Sequence, residues 1–302
     1  MPASAVYGWV SGRKTNSVKP HKLPVLVICI GNLVAGGAGK TPVALAIGAT
    51  LKALGKRAHY LSRGYKSAID GVLLVDPAKH TAQEVGDEPL LLAEVLPTWV
   101  AKDRVAGAVE AIAAGAEIII MDDGFQNPYL HKDVSLLVID GQYGFGNERL
   151  LPAGPLREPI SAAMERASAI IMIGDDQNEV LHHVPSSLPI LRAKLQPTPA
   201  AHFLHDKPVV AFCGIARPRK FYRTLQQIGC VIRKSVSYSD HYNFKPKDLE
   251  FLRSKAKEFG ATLVTTTKDY VRLPADMRPE VTQVPVEILF EDNATLLKTI
   301  LK

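Results

Sequence analysis

A glycine-rich turn carries the first residues whose types and spacing could do chemistry. It comprises Gly36, Gly37, Ala38, Gly39, Lys40 and Thr41. In such a turn, backbone N–H groups surround phosphate oxygens, the lysine reaches the β- and γ-phosphates, and the threonine hydroxyl ligates Mg²⁺. Val34 stands where the usual G-x-x-x-x-G-K-[ST] spacing has its first glycine, so the motif is a variant. The pattern predicts a phosphate-binding loop; the alternative is a strand-to-helix turn with a chance Lys-Thr pair.

Two acidic residues follow a strongly apolar run. Asp122 and Asp123 come directly after residues 117–121, EIIIM. Acids at the carboxyl end of a buried strand point toward a phosphate loop at the same sheet edge, where they hold Mg²⁺. The alternative is a solvated Asp-Asp-Gly turn. To this point, the residues indicate only a P-loop nucleotide hydrolase or kinase.

The elements that must position these residues alternate between strands and helices. The predicted strands are residues 25–30, 58–61, 72–75, 117–121, 134–140, 168–173, 189–195, 208–215, 231–236, 262–266 and 286–290. The predicted helices are residues 41–54, 88–96, 103–114, 218–228, 245–259 and 293–301. This alternation is typical of parallel sheets covered by helices, and it predicts an α/β fold.

A proline-rich stretch without periodicity, residues 196–207, interrupts this alternation and predicts a hinge. We therefore expect a nucleotide-binding domain over residues 23–195 and a smaller basic α/β domain over residues 208–302. Residues 1–22 form a separate apolar and basic segment.

Composition excludes several classes of protein. The 302 residues are 47% hydrophobic and 22% charged, which is typical of a globular chain. The three cysteines lack C-x-x-C spacing, which speaks against a disulfide scaffold or a thiolate zinc site and fits a reducing compartment. No run reaches about 18 apolar residues, so no transmembrane helix is predicted, and no basic region precedes the apolar N-terminal stretch as in a signal peptide.

The net charge of +6 is unevenly distributed. Residues 1–200 carry 19 Lys and Arg against 19 Asp and Glu, whereas residues 201–302 carry 17 against 11. A basic C-terminal third predicts an anionic partner such as a phosphate or an acidic lipid surface, with solubility alone as the alternative. Nucleic acid is not expected as a partner, because the chain has no arginine-rich run and no nucleic-acid motif.

Seven short strings, in order, resemble the tetraacyldisaccharide 4'-kinase family, the lipid A 4'-kinases. They are residues 31–42 (GN with GGAGKTP), 61–65 (LSRGY), 86–89 (GDEP), 122–126 (DDGFQ), 150–159 (LLPAGPLREP), 239–242 (SDHY) and 267–269 (TKD). Each string alone is weak, but seven in the family's order between residue 7 and about residue 270 are specific.

The resemblance implies ATP-dependent phosphorylation, with Mg²⁺, of the 4'-hydroxyl of the tetraacylated disaccharide 1-phosphate precursor of lipid A. It also implies a peripheral position on the cytoplasmic face of the inner membrane and two P-loop-like α/β lobes joined by a hinge, with a cleft between them. Another P-loop ATPase or GTPase and a non-enzymatic nucleotide-binding regulator are the alternatives. A GTPase normally needs an N-K-x-D string, which this chain lacks.

The resemblance also implies roles for residues outside the phosphate loop. Asp87 is the candidate proton acceptor, although composition alone favours a helix N-cap there. His241, which on its own would be an inert loop histidine, is its candidate partner. Such a pair assembled across the cleft would tie proton acceptance to lobe closure.

Three basic residues are candidate clamps on phosphates: Arg63, Arg157 and Lys268. A guanidinium suits bidentate contact with phosphate. The alternative for Arg157 is a structural salt bridge with Glu158 or another acid.

Two departures from the family pattern matter. Asn127 ends the string in which the family usually has a histidine, so no role can be transferred to it. Only residues 3–10 of the N-terminus are apolar, followed by the basic residues Arg13, Lys14, Lys19 and Lys22. This segment is a candidate for membrane docking. The sequence does not predict an oligomeric state.

Overall fold

Two β-sheets organise the chain in a computed structural model, which describes residues 18–65 and 69–301. The strands are β1 (Leu26–Gly31), β2 (Ala58–Ser62), β3 (Val72–Leu74), β4 (Thr98–Ala101), β5 (Ile118–Asp122), β6 (Val134–Asp140), β7 (Ala169–Ile173), β8 (Ile190–Pro197), β9 (Pro208–Cys213), β10 (Val231–Ser237), β11 (Thr262–Thr266), β12 (Val281–Val284) and β13 (Val286–Phe290). The α-helices are α1 (Lys40–Ala53), α2 (Ala82–Val85), α3 (Asp87–Ala93), α4 (Arg104–Ala113), α5 (Ile160–Met164), α6 (Pro218–Ile228), α7 (Pro246–Phe259), α8 (Thr267–Tyr270) and α9 (Asn293–Ile300). Short 3₁₀ helices span Val180–His183, Pro199–Leu204 and Arg278–Glu280.

The larger sheet has the strand order β13-β8-β7-β6-β1-β5-β2-β4-β3. Its central strands pair in parallel, and only β3 and β13 at the two edges run antiparallel to their neighbours. Strands β5, β6 and β7 are buried along their whole length, because helices cover both faces of the sheet. The apolar runs from which these strands were predicted therefore reflect burial on two faces.

Side chains of β1 show how the two cores are divided. Val27 and Cys29 face the core that includes α4, whereas Ile28 and Ile30 face the core that includes α1. Because neighbouring strands are parallel, their carboxyl ends lie at one edge of the sheet. The phosphate loop follows β1, and Asp122 and Asp140 end the strands on either side of it.

The smaller sheet has the order β10-β9-β11-β12 and is entirely parallel. Helix α6 packs Phe221 and Leu225 on one face of β9, and α7 packs Leu249 and Leu252 on the other. The predicted α/β fold class is thereby confirmed. Strand β12 was not predicted, since its four residues, VTQV, are too few and too polar to give a periodic signal.

The end of the chain differs from the predicted domain organisation. Strand β13 pairs antiparallel with β8 in the larger sheet. Helix α9 packs Leu296 and Ile300 into the core that contains α1. Residues 286–300 therefore belong with the larger sheet, although the sequence assigned all of 208–302 to the smaller domain. Sequence analysis did not predict that β13 joins the larger sheet, because this pairing links β8 and β13, which are distant along the chain.

Two crossings connect the lobes, because the chain leaves the larger sheet after β8 and returns before β13. The predicted hinge, residues 196–207, contains the end of β8 and the 3₁₀ helix Pro199–Leu204. The apolar part of the predicted docking segment lies outside the described residues. In the part of the chain that the structure describes, no helix is long and apolar enough to cross a bilayer.

Substitution of Gly48 provides a test of how α1 packs on the sheet. A methyl group at this position would overlap the buried hydroxyl of Tyr60, which donates a hydrogen bond to the Ala44 carbonyl at 2.8 Å. We expect Gly48→Ala to lower the free energy of unfolding by about 1–3 kcal/mol through overpacking. Urea unfolding measures the effect, with Ala49→Ser on the exposed face of α1 as the control. Unchanged stability of Gly48→Ala would contradict this packing.

Candidate active site

The predicted phosphate loop lies between β1 and α1. Gly36 and Gly39 adopt φ angles of +100° and +97°, which suit glycine, and α1 begins at Lys40. The first backbone N–H groups of this helix have no partner within the helix, so they are available to an anion. The loop therefore has the backbone conformation and the helix that phosphate binding requires.

The backbone contacts around Val34 account for the absence of a glycine at the first position of the motif. It forms an isolated antiparallel bridge with Leu156. The neighbouring backbone groups add hydrogen bonds from Ala35 N to Pro155 O and from Arg157 N to Leu33 O, both 2.8 Å long. The loop is thus braced by residues 150–159, the longest of the strings that carry the family resemblance.

Lys40 is held at the base of the loop by its own neighbours. Its Nζ donates a hydrogen bond of 3.0 Å to Asn32 Oδ1 and lies 3.6 Å from Asp123 Oδ1. Asn32 is fully buried and donates to the Val34 carbonyl at 2.7 Å. The asparagine fixes the ammonium beside the phosphate loop, a role that the sequence analysis missed although Asn32 belongs to the Gly-Asn string.

The two acids after β5 have different surroundings. Asp122 is buried, and its Oδ1 has no hydrogen-bond partner among the described residues. Burial, together with the negative charges of Glu88 and Asp123, raises the pKa of Asp122 to about 7. Partial burial would also raise the pKa of Asp123, but Lys40 and Arg157 outweigh it and lower that pKa. Arg157 Nη1 contacts both Asp123 oxygens, at 2.8 and 3.1 Å, so the salt-bridge alternative for Arg157 describes its position here.

The side-chain oxygen atoms of Thr41, Asp122 and Asp123 fit a Mg²⁺ ion that is bound together with a nucleotide. Within residues 18–65 and 69–301, no cluster of three or more His, Cys, Asp or Glu side chains could hold a metal ion. Thr41, Asp122 and Asp123 offer hard oxygen atoms, and Mg²⁺ typically takes one or two carboxylates while phosphates and water complete its octahedron. The buried Oδ1 of Asp122 has no hydrogen-bond partner among the described residues, so it could serve as one such carboxylate ligand.

Asp87 lies at the contact between the two lobes. It is only 4% exposed, and α3 begins at Asp87 with Gly86 as the N-cap residue, so Asp87 is not the helix cap. Its Oδ2 lies 3.1 Å from His241 Nδ1, without the alignment of a full hydrogen bond. Two cations also lie near this oxygen, Arg272 Nε at 3.4 Å and Lys268 Nζ at 3.9 Å. All three partners belong to the lobe of the smaller sheet.

These three neighbours set the ionisation of Asp87. Burial would raise its pKa, but the contacts with His241, Lys268 and Arg272 outweigh burial and lower the pKa to about 2. Lys268 also donates to Glu88 Oε1 at 2.9 Å. The carboxylate of Asp87 is therefore ionised throughout the physiological pH range.

The backbone and ring of His241 are both constrained. Its φ is +56°, an uncommon value for a residue other than glycine, and its N–H donates to the Gly214 carbonyl at 3.0 Å. Lys268 Nζ lies 3.4 Å from Nε2. An ammonium can only donate, so in the neutral ring Nε2 accepts and Nδ1 carries the proton toward Asp87; this tautomer is assigned from the contacts.

A buried network that the sequence analysis missed supports this cluster. Asp269 is fully buried and accepts hydrogen bonds from Gly214 N at 2.9 Å, Arg272 Nη2 at 2.7 Å and Thr266 Oγ1 at 2.6 Å. Arg272 also donates to the Gly214 carbonyl at 3.0 Å. Asp269 thus fixes both the arginine that faces Asp87 and the turn that supports His241. The Thr-Lys-Asp string was its only signal in the sequence.

Three further residues named in the sequence analysis have surroundings of their own. Arg63 is exposed; burial, and after it the positive charge of Arg63, lowers the pKa of Arg104. Lys268 belongs with Asp87 and Glu88 rather than with the phosphate loop. Asn127 Oδ1 accepts hydrogen bonds from the backbone of Tyr129 and Leu130, so it closes a turn.

A phosphate loop on the central parallel strand, acids beside it and a buried Asp–His contact from a second lobe define a P-loop nucleotide-binding protein of the kinase type. The family model of LpxK, tetraacyldisaccharide-1-P 4'-kinase, matches residues 1–302. The chain belongs to the tetraacyldisaccharide-1-P 4'-kinase family.

Named relatives and a solved structure agree with this assignment. A tetraacyldisaccharide 4'-kinase of Rhodospirillum centenum is 48% identical over 98% of this chain and 88% of its own length. The protein of the same name from Gluconacetobacter diazotrophicus is 49% identical over 96% of this chain and 89% of its own length. A crystal structure of LpxK from Aquifex aeolicus in complex with ATP has a TM-score of 0.79 at 29% identity, covering 99% of this chain and 96% of that one.

The low pKa of Asp87 predicts a pH-dependent contribution to stability. Because the folded-state pKa of about 2 lies below the ordinary 3.8, this contribution is present above about pH 4 and is lost as the pH falls toward 2. We expect the difference in unfolding free energy between the wild type and Asp87→Asn to shrink by about 1 kcal/mol between about pH 5 and pH 3. Urea unfolding at several pH values measures this difference. A constant difference would contradict the electrostatic role of the cluster.

Proposed function

We propose that this chain transfers the γ-phosphate of ATP to the 4'-hydroxyl of the tetraacyldisaccharide 1-phosphate precursor of lipid A, with Asp87 and His241 at the acceptor. Family membership supports the kinase reaction and the lipid-linked acceptor, and the ATP named in the Aquifex aeolicus complex supports the donor. The observation that carries the residue assignment is the 3.1 Å contact between Asp87 and His241 across the two lobes.

At the donor end, the phosphate loop holds the nucleotide. The backbone of Gly36 to Gly39 surrounds the β- and γ-phosphates, and Lys40 neutralises their charge. Thr41, Asp122 and Asp123 would hold Mg²⁺, which when bound neutralises charge on the phosphate oxygens. Arg157 fixes Asp123 in place for this role through its contacts with both carboxylate oxygens.

At the acceptor end, Asp87 orients the sugar hydroxyl and accepts its proton. A carboxylate with a pKa of about 2 is a weak base, but it is always ionised at neutral pH. Phosphoryl transfer proceeds mainly by positioning and charge neutralisation, so a weak but well-placed proton acceptor is sufficient. His241 and Arg272 hold the carboxylate, Lys268 adds positive charge beside it, and Arg63 is the exposed candidate clamp for acceptor phosphate.

An ATPase without a sugar acceptor and a nucleotide-binding regulator are less well supported alternatives. Neither would require a buried carboxylate that faces His241 and the cations Lys268 and Arg272 of another lobe.

Alanine variants of the two residues test the acceptor site. We expect Asp87→Ala and His241→Ala each to lower kcat about a hundredfold or more, with a much smaller change in the KM for ATP. The double variant should be scarcely slower than the slower single variant, because the pair acts as one unit. Transfer of labelled γ-phosphate to the disaccharide 1-phosphate measures these rates.

The control for this series is His205→Ala, which removes an exposed histidine paired with Asp206 at 2.9 Å in the same lobe. Its turnover should match that of the wild type. Fully multiplicative losses in the double variant would argue against joint action of Asp87 and His241.

Membrane association is part of the proposal, because an acceptor with four acyl chains sits in a bilayer. The candidate anchor is the apolar and basic segment of residues 1–22, of which residues 1–17 lie outside the described part of the chain. Basic residues near anionic lipid contribute about 1 kcal/mol each, so binding should weaken as salt rises. We place the protein peripherally on the cytoplasmic face of the inner membrane.

Deletion of residues 1–18 tests the anchor. We expect weaker co-sedimentation with anionic vesicles but continued phosphorylation of acceptor dispersed in detergent. Vesicle binding that survives the deletion unchanged would rule out this anchor.

A further inference from the structure

A second charged cluster joins the lobes on the other side of the phosphate loop from Asp122. Asp140 ends β6, which lies next to β1 and opposite β5. Its Oδ2 is 2.7 Å from Arg217 Nη1 and 2.6 Å from Lys220 Nζ. The carboxylate side chain is 3% exposed, and the arginine side chain is 15% exposed. None of the motifs identified in the sequence includes these residues.

The cluster carries more positive than negative charge. Two cations share one oxygen of Asp140, and among the described residues the other oxygen accepts only a 3.1 Å hydrogen bond from the Gln142 backbone. Arg217 Nη2 is buried and has no hydrogen-bond partner among the residues described. Burial lowers the pKa of Lys220 despite the contact with Asp140. Excess buried charge is unfavourable unless an anion completes it, so the cluster has the composition of an anion site.

The cluster is adjacent to the phosphate loop. A Cβ atom built on Gly36 would lie 3.4 Å from Cβ of Ala216, the residue before Arg217. The guanidinium of Arg217 stacks on the ring of Tyr143, 3.6 Å from its centroid, which fixes its plane.

We propose that Arg217 and Lys220 bind phosphate oxygens of the nucleotide held by the phosphate loop, and that Asp140 pairs with them when those phosphates are absent. This inference rests on the proposed function, which places ATP at that loop. The smaller lobe then contributes cations to both ends of the reaction: Arg217 and Lys220 to the donor, and the groups around Asp87 to the acceptor. ATP binding would transfer two charge-assisted contacts from Asp140 to phosphate.

Equilibrium titration of the full chain with ATP tests the proposal. We expect Arg217→Gln and Lys220→Met each to raise the Kd for ATP about tenfold, since each removes a charge-assisted contact. Arg219→Gln is the matched control, because it removes the same charge from an exposed position in the same turn of α6. It should change the Kd less than about twofold.

The Asp140→Asn variant distinguishes two roles of the cluster, which are binding of phosphate and a purely structural link between the lobes. This variant removes the carboxylate but keeps both cations, so it should bind ATP at least as tightly as the wild type. A structural link would instead make Asp140→Asn as weak as Arg217→Gln, and that result would overturn the proposal. An unchanged Kd for Arg217→Gln would also overturn it. If Arg217→Gln does not fold, the Kd of Lys220→Met decides by the same criterion.

Lys40→Ala distinguishes failure of this inference from failure of the proposed function. Lys40 belongs to the phosphate loop, so its loss should weaken ATP binding whether or not Arg217 contributes. Weaker binding by Lys40→Ala with unchanged binding by Arg217→Gln would reject only the further inference. Unchanged binding by Lys40→Ala would reject the assignment of ATP to this loop, and with it the proposed function.

Discussion

The parallel pairing of the buried strand β1 with β5 and β6 is the constraint on which the site depends. This pairing brings three carboxyl ends to one edge of the sheet, so the phosphate loop, Asp122 and Asp140 lie side by side. The strands can pair in this way because their side chains are apolar on both faces and are covered by α1 on one side and α4 on the other. The chemistry at the edge is therefore positioned by hydrophobic packing beneath it.

Charge is divided between the two lobes. The larger lobe supplies the buried carboxylates of Asp87 and Asp140, and the smaller lobe supplies the basic side chains that face them. This division accounts for part of the basic C-terminal third, which the sequence analysis attributed to an anionic partner or to solubility. Because neither member of such a pair is well solvated, contact between the lobes and ionisation of the site depend on each other.

The sequence correctly predicted the strands that are continuous, buried apolar runs. It missed two short strands and the pairing of β13 with the larger sheet. Strands β1, β5, β6 and β7 were predicted because each is an apolar run with covered faces. Strands β4 and β12, each of four residues, were missed; β12 (VTQV) is also half polar, so it gives no apolar run. The return of β13 to the larger sheet was missed because local periodicity does not report which strands pair.

The sequence by itself determined the features that are local in the chain: the phosphate loop with Lys40 and Thr41, the acids that end β5, and the strings that identify the family. Only the tertiary structure decided which charges meet. Arg272 faces Asp87 from 185 positions along the chain, and Arg217 meets Asp140 across the two lobes. Such contacts leave no spacing pattern, because chain folding rather than helix or strand periodicity brings their members together. The low pKa of Asp87 and the unpartnered nitrogen of Arg217 follow from those contacts and from burial, so no reading of residue types alone could predict them.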